Sequence, residues 1–186
     1  MTRQCGDCQL CCKLLPVKSL AKLAGQRCSH QKHHKGCAVY KQLGRVSPEC
    51  RLWSCRWLVE ENGTEGLSRP DRSHIVIDLM PDYVTLQNAE TGEEQHVQVL
   101  QIWIDPKHRD AHRDPAFRAY LERQAAHGIA ALVRWSNTDG MAIFAPALSD
   151  DRQWHEVMNG LEGPEHSVED KFKALGAMTM HIAERT

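Results

Sequence analysis

After Cys55 the chain has no cysteine at all: the eight it contains fall within the first 55 of 186 residues. Acidic residues are nearly missing from that same stretch, where Asp7 and Glu49 are the only two in residues 1–58. No apolar run approaches the roughly 20 residues that span a bilayer, so no membrane partner is expected. The N-terminus, Met1-Thr2-Arg3-Gln4-Cys5, lacks the basic segment and apolar run of a secretory signal. A cytoplasmic location is therefore expected. There thiols stay reduced, and clustered cysteines signal metal or redox chemistry rather than a disulfide framework. Catalytic signatures are also missing: there is no G-x-S-x-G, no phosphate-binding G-x-x-x-x-G-K-[ST], no G-x-G-x-x-G and no H-E-x-x-H. Asp105, Asp110 and Asp114 are scattered carboxylates without a recognisable partner. The reading leans away from an enzyme without excluding one. Internal repeats and low-complexity tracts are absent too.

What is present begins with charge. Residues 1–58 carry eleven Lys and Arg against the two acids, a net of +9, and the remainder carries −10, so the overall −1 hides an asymmetry. A basic module invites a nucleic-acid reading. Eight thiolates holding two divalent ions would reduce the excess to about +5, so the basic residues are better read as stabilising thiolates. Nucleic acid is not the expected partner. Metal ions are, with room for a protein partner.

The expected fold class is α+β. A small Cys-rich module of loops and short helices spans residues 1–58, a linker spans 59–73, and an α+β domain of unknown role spans 74–186. That domain is expected to carry an antiparallel sheet and about three helices. Val17–Ala24 is expected as a short helix between Pro16 and Gly25. His74–Leu79 and Tyr83–Asn88 are strand-like, and His96–Ile104 alternates Val97, Val99, Gln101 and Trp103 against Gln98, Leu100 and Ile102. Asp114 is a good helix cap before Pro115, with Phe117, Tyr120 and Leu121 as the apolar stripe and Gly128 at the end. Ile129–Trp135 and Met141–Ala145 read as a hairpin across Asn137–Gly140. Further helices are expected around Asp151–Leu161 and from Ser167 onward.

The chemistry lies in the thiols. Cys5-x-x-Cys8-x-x-Cys11-Cys12 opens the chain, followed by Cys28, Cys37, Cys50 and Cys55. Structural zinc takes four tetrahedral Cys or His ligands, often as C-x(2–4)-C pairs, because that spacing turns two sulfurs toward one ion without strain. Iron–sulfur clusters take thiolates from C-x-x-C-x-x-C runs. Cys5, Cys8 and Cys11 fit either, although the usual closing Cys-Pro is absent. Neighbouring side chains seldom address one small ion, so Cys11-Cys12 points to two sites or a polynuclear one. On a helix, Cys5, Cys8 and Cys12 would lie within about 60° of one another while Cys11 points elsewhere. Eight cysteines suffice for two tetrahedral sites, with the pairing open.

The arrangement resembles the CxxCxxCC cysteine-cluster family, the YkgJ-like zinc- or iron-chelating domains. The likeness rests on Cys5, Cys8, Cys11 and Cys12, then Cys28, then Gly36-Cys37-Ala38-Val39-Tyr40, then Glu49-Cys50-Arg51-Leu52-Trp53-Ser54-Cys55. It covers about residues 3–58. One departure is the run Arg45-Val46-Ser47-Pro48-Glu49-Cys50, which inserts residues into the family's Arg-Pro approach. The resemblance implies that Cys5, Cys8, Cys11, Cys12, Cys28, Cys37, Cys50 and Cys55 are all metal ligands. It implies no settled reaction. Some relatives place the module in a flagellin lysine methylase with an iron–sulfur role, which leaves redox chemistry open.

The expected cofactor is zinc, ahead of iron or an iron–sulfur cluster. The functional classes are a metal-binding protein, an iron–sulfur redox protein or enzyme subunit, and a zinc-stabilised module for protein or nucleic-acid contacts. His30, His33 and His34 could complete a three-Cys, one-His site, but eight cysteines leave them no obligatory role. His108 and His112 have helical ligand spacing, yet Pro106 and Pro115 bracket them, so a surface loop is expected. Trp53 and Trp57 flank Cys55 and should roof the metal site. Trp103 and Trp135 should be core.

Overall fold

The computed structural model describes residues 3–33, 35–88 and 90–158. Helix and sheet are mixed. The Cys-rich stretch contributes α1 (Leu10–Leu14), a two-stranded antiparallel ribbon β1 (Gln31–Lys32) and β2 (Gly36–Cys37), and the short helices α2 (Leu43–Val46), α3 (Pro48–Leu52) and α4 (Arg56–Val59). Next come α5 (Pro70–Ser73), the long strands β3 (Ile75–Gln87) and β4 (Glu94–Ile104), and α6 (Pro115–Ala125). Strands β5 (Ala130–Arg134), β6 (Gly140–Phe144) and β7 (His155–Met158) complete the described chain. No helix among the described residues is long and apolar enough to cross a membrane.

One five-stranded sheet, in the order β3-β4-β5-β6-β7, organises the molecule. It is not purely antiparallel as expected: β4 pairs parallel with β5, and the other pairings are antiparallel. A parallel neighbour requires a crossover, and here the connection runs through a 3-10 stretch, Pro106–Arg113, and α6. The helix starts where the sequence said it would. The Asp114 side chain accepts a hydrogen bond from Phe117 N at 3.0 Å, and Pro115 fills the first turn.

Strand alternation sorts the core into two sides. Ile75, Ile77, Leu100, Ile102 and Ile104 pack with Phe117, Tyr120 and Leu121 of α6. Each fully buried side chain of that size stabilises by about 1.5–3 kcal/mol relative to exposure. From the opposite face, Val76 and Trp103 pack against Cys8, Leu10, Leu14 and Leu15, with Cys11, Trp53 and Cys55 around them. The Cys-rich stretch is thus seated on the sheet face that α6 leaves open.

Several local expectations are corrected. The two strand-like segments 74–79 and 83–88 form one strand, whose register with β4 shifts between Ile77 and Pro81. Proline has no N–H for the ladder and belongs at such irregularities. Val17–Ala24 is a tight reversal in place of a helix: a 3-10 turn at Lys18–Leu20 ends in left-handed Ala21 (φ 47), and Val17 bridges Lys22. Asp151–Leu161 is not helical over its described part. Arg152 adopts φ 55, which interrupts any helix, and His155–Met158 extends the sheet beside β6. The rest of that segment, and the helix expected from Ser167, lie outside the described residues. Apart from these corrections, the stretch 59–73 expected as a linker begins with the last residue of α4, continues through turns to α5, and contains the buried Thr64.

Candidate metal centre

Six short segments bring the thiols together. Cys5 and Cys8 sit on a turn before α1, closed by Cys8 N donating to Cys5 O at 2.9 Å, with Gly6 at φ 53. That positive φ is where glycine is free of the Cβ clash. The turn is held from outside by Arg69, which pairs with Asp7 at 2.8 Å and Asp71 at 2.6 Å. Helix α1 begins only at Leu10, so the whole run is not helical, and the expected grouping of Cys5, Cys8 and Cys12 on one helix face does not occur. Cys11 and Cys12 lie inside the helix.

The ribbon docks on this run through Gln9. Its amide Nε2 donates to Gly36 O at 3.1 Å and to Lys32 O, and its Oε1 accepts from Gln31 Nε2 at 2.7 Å. Cys28 N donates to Cys12 O at 3.1 Å, and Gln31 N to Cys28 O at 3.0 Å. Cys37 lies opposite Gln31 in the ribbon. Cys50 is placed by Ser47, a buried cap whose hydroxyl accepts from Cys50 N at 3.4 Å and from Ser19 Oγ at 3.0 Å. Cys55 bridges Asp78 at the register shift of β3, where Trp53 Nε1 donates to Asp78 Oδ1 at 3.0 Å and Arg56 donates to the carbonyls of Asp78 and Leu79. The shift leaves β3 backbone unpaired with β4, and the cysteine segment takes it up.

All eight cysteines are unbridged, and all eight line one cleft of 2440 Å3 between this stretch and the sheet. Among the described residues, no group of three or more His, Cys, Asp or Glu side chains is arranged to hold a metal ion. The sulfurs share a neighbourhood without forming a preassembled cage. As a donor set, eight reduced thiols suit zinc or iron, which prefer soft sulfur ligands.

The electrostatics are those of crowded thiols. Burial, followed by the charges of Cys8, Cys55 and Cys12, pushes Cys5 up to about 11. Burial likewise raises Cys8, Cys37 and Cys55. Cys11 and Cys12 share a hydrogen bond that raises Cys11 and lowers Cys12, and Lys22 further lowers Cys12. Lys22 is a residue the sequence did not single out. It is 7% exposed, and its Nζ donates to the carbonyls of Lys13 (3.3 Å), Leu15 and Leu23 (3.4 Å). Nothing in the local pattern marks it, because its partners come together only when the 17–22 reversal folds back on α1. Lys13 and Asp105 were missed for the same reason: they form an ion pair joining α1 to the end of β4, across 92 residues.

The remaining candidates separate. His30 lines the cleft, and His34 is outside the described residues. Trp53 lines the cleft, whereas Trp57 turns away: its Nε1 donates to Leu67 O at 3.1 Å and Arg3 stacks over its ring. Trp103 and Trp135 are core, each 5% exposed. His108 and His112 are not a ligand pair. His108 stacks on His74 with ring centroids 3.4 Å apart. His112, expected on a surface loop, is 3% exposed, with Nδ1 donating to Arg109 O at 2.8 Å and Nε2 3.6 Å from Glu156. Burial lowers its pKa.

Compared with known proteins, the chain matches no protein-family model, no curated protein and no solved structure. The resemblance of residues 3–58 to the CxxCxxCC family therefore rests only on the cysteines and the short motifs around Cys37, Cys50 and Cys55.

Proposed function

We propose that this chain is a metal-binding protein that holds zinc, or alternatively iron, through the thiolates of its clustered cysteines. The observation that carries the reading is that eight unbridged cysteines, supplied by sequence positions as distant as Cys5 and Cys55, all line one cleft. Chance burial of eight small hydrophobic residues would scatter them through the core, whereas six separate segments here deliver them to one place. A bound ion would draw the sulfurs into coordination and cross-link short elements that have little core of their own, contributing folding energy directly. Eight thiolates divide into four-ligand sets for zinc or for iron–sulfur clusters alike, and zinc stands ahead because the Cys5–Cys11 run lacks the closing Cys-Pro of the bacterial iron–sulfur pattern.

An iron–sulfur centre is the second reading. Cys8, Cys11 and Cys55 lie in an apolar cluster with Leu10, Leu14 and Trp103, a setting that shields a cluster from water. Anaerobic purification followed by metal analysis and an absorption spectrum separates the two. A colourless, zinc-loaded protein supports the first, and a brown protein bleached by dithionite supports the second. Freshly reduced protein that takes up neither metal on reconstitution overturns both.

A further inference from the structure

We infer that the eight cysteines form two separate four-thiolate metal sites, one of Cys5, Cys8, Cys11 and Cys55 and the other of Cys12, Cys28, Cys37 and Cys50. The two meet at the Cys11–Cys12 peptide bond. This assignment rests on the metal-binding reading above and specifies its ligand sets.

Adjacent residues of a helix point about 100° apart, so within α1 Cys11 and Cys12 leave the helix in different directions, although their thiols stay within hydrogen-bond reach of each other. Packing shows which sides. Cys11 joins Cys8 and Cys55 in the apolar cluster built on Val76 and Trp103, and none of Cys12, Cys28, Cys37 and Cys50 belongs to it. Cys5 is tied to Cys8 by the closing turn, both through Cys8 N to Cys5 O and through its thiol donating to Cys8 O at 3.6 Å. On the other side, the Cys12 carbonyl receives Cys28 N, the Cys28 carbonyl receives Gln31 N, and Gln31 pairs with Cys37. That chain of backbone contacts carries three of the second set to one end of the ribbon.

The charges follow the same division except at the Cys11–Cys12 seam: Cys5 feels Cys8 and Cys55 ahead of Cys12, and Cys11 feels its neighbour Cys12 and then Cys5 and Cys55. Cys37 feels Cys12, Cys28 and Cys50. Each set also has its own cations. Arg69 acts on Cys5 and Cys8 and Arg3 on Cys55, while Lys22 stands among Cys12, Cys28 and Cys50. A tetrahedral zinc with four thiolates carries a net charge of about −2, so separate cationic neighbours suit two separate anionic centres. Cys12 also lies within reach of Cys5, and Cys11 within reach of Lys22, as expected where two sites adjoin.

The test uses the full chain, reconstituted anaerobically with zinc and then with cobalt, and compares two kinds of double variant. Cys8→Ser with Cys55→Ser removes ligands from one set only. Cys37→Ser with Cys55→Ser removes one ligand from each. Wild type should bind two zinc ions and the same-set variant one at wild-type affinity, whereas the cross-set variant, left with three thiolates at each site, should bind both ions more weakly. Cobalt–thiolate absorption should fall by half in the same-set variant, and circular dichroism should show the sheet retained. Because Cys8 is buried, Cys37→Ser with Cys50→Ser serves as the second same-set variant and should also keep one ion. A same-set variant that loses both ions, or a cross-set variant that keeps one site at wild-type affinity, would overturn the partition while leaving metal binding intact. A wild type that binds no metal overturns the reading beneath it.

Discussion

Lys22 shows how much depends on a single side chain. Its ammonium is buried against three backbone carbonyls beside the thiols, so replacing it takes a donor from the Lys13 and Leu15 carbonyls and withdraws a positive charge from Cys12. Lys22→Met should destabilise the chain by about 2 kcal/mol, the usual scale for hydrogen bonds from a charged group. Urea denaturation measures this, and a change within experimental error would remove Lys22 from the account. His112 gives a pH signature. Burial depresses its folded-state pKa, so in acid the unfolded chain takes up a proton that the native chain resists. Its contribution to stability is therefore intact above the ordinary histidine value of about 6.5 and declines as pH falls below it. His112→Gln should flatten that slope between roughly pH 6.5 and 5, again by denaturation. An unchanged slope would show that other groups set it. At this scale the sequence was legible for residue types but not for environments. The eight thiols announced themselves, whereas the burial of His112 and Lys22 depends on chain that returns from far away.

Among the elements, β3 matters most to the site. Its register shift exposes the Asp78 and Leu79 carbonyls, and the Asp78 carboxylate accepts from Trp53 Nε1 and from Met80 N at 2.9 Å. Asp78→Ala should loosen the Cys55 end of the cysteine stretch, costing about 1–2 kcal/mol. It should also raise the rate at which a thiol reagent labels Cys55 in metal-free protein. Equal labelling rates would show that the docking does not run through Asp78. The strand pattern of 96–104 and the capped helix at 115 could be read directly, since both follow from local periodicity and capping chemistry. The fusion of 74–79 with 83–88 could not, because Pro81 looks like a strand terminator until β4 pairs on both sides of it. Nor could the parallel β4–β5 pairing, which is fixed by a crossover rather than by any short segment. The 17–22 reversal and the strand at 155–158 were misread as helices for a related reason: left-handed Ala21 and Arg152 occur at residue types that do not advertise that conformation.

Taken whole, the molecule is a sheet with α6 on one face and the cysteine-bearing stretch on the other, joined by contacts that are long-range in sequence. Burial raises Cys5, Cys8, Cys37 and Cys55 above the ordinary thiol range, so binding a metal through them would expel protons, and the apparent affinity should fall steeply as pH is lowered. The charge asymmetry found in the sequence acquires a place as well: Arg3 and Lys22 from the basic stretch, joined by Arg69 from the chain beyond it, stand next to the thiols they favour as thiolates. The most direct test of the central claim is native mass spectrometry of the reduced chain before and after stoichiometric zinc addition. The account predicts a mass increase of two zinc ions accompanied by loss of thiol reactivity at the cysteines. A chain that keeps its metal-free mass, with all eight thiols still reactive, would contradict it.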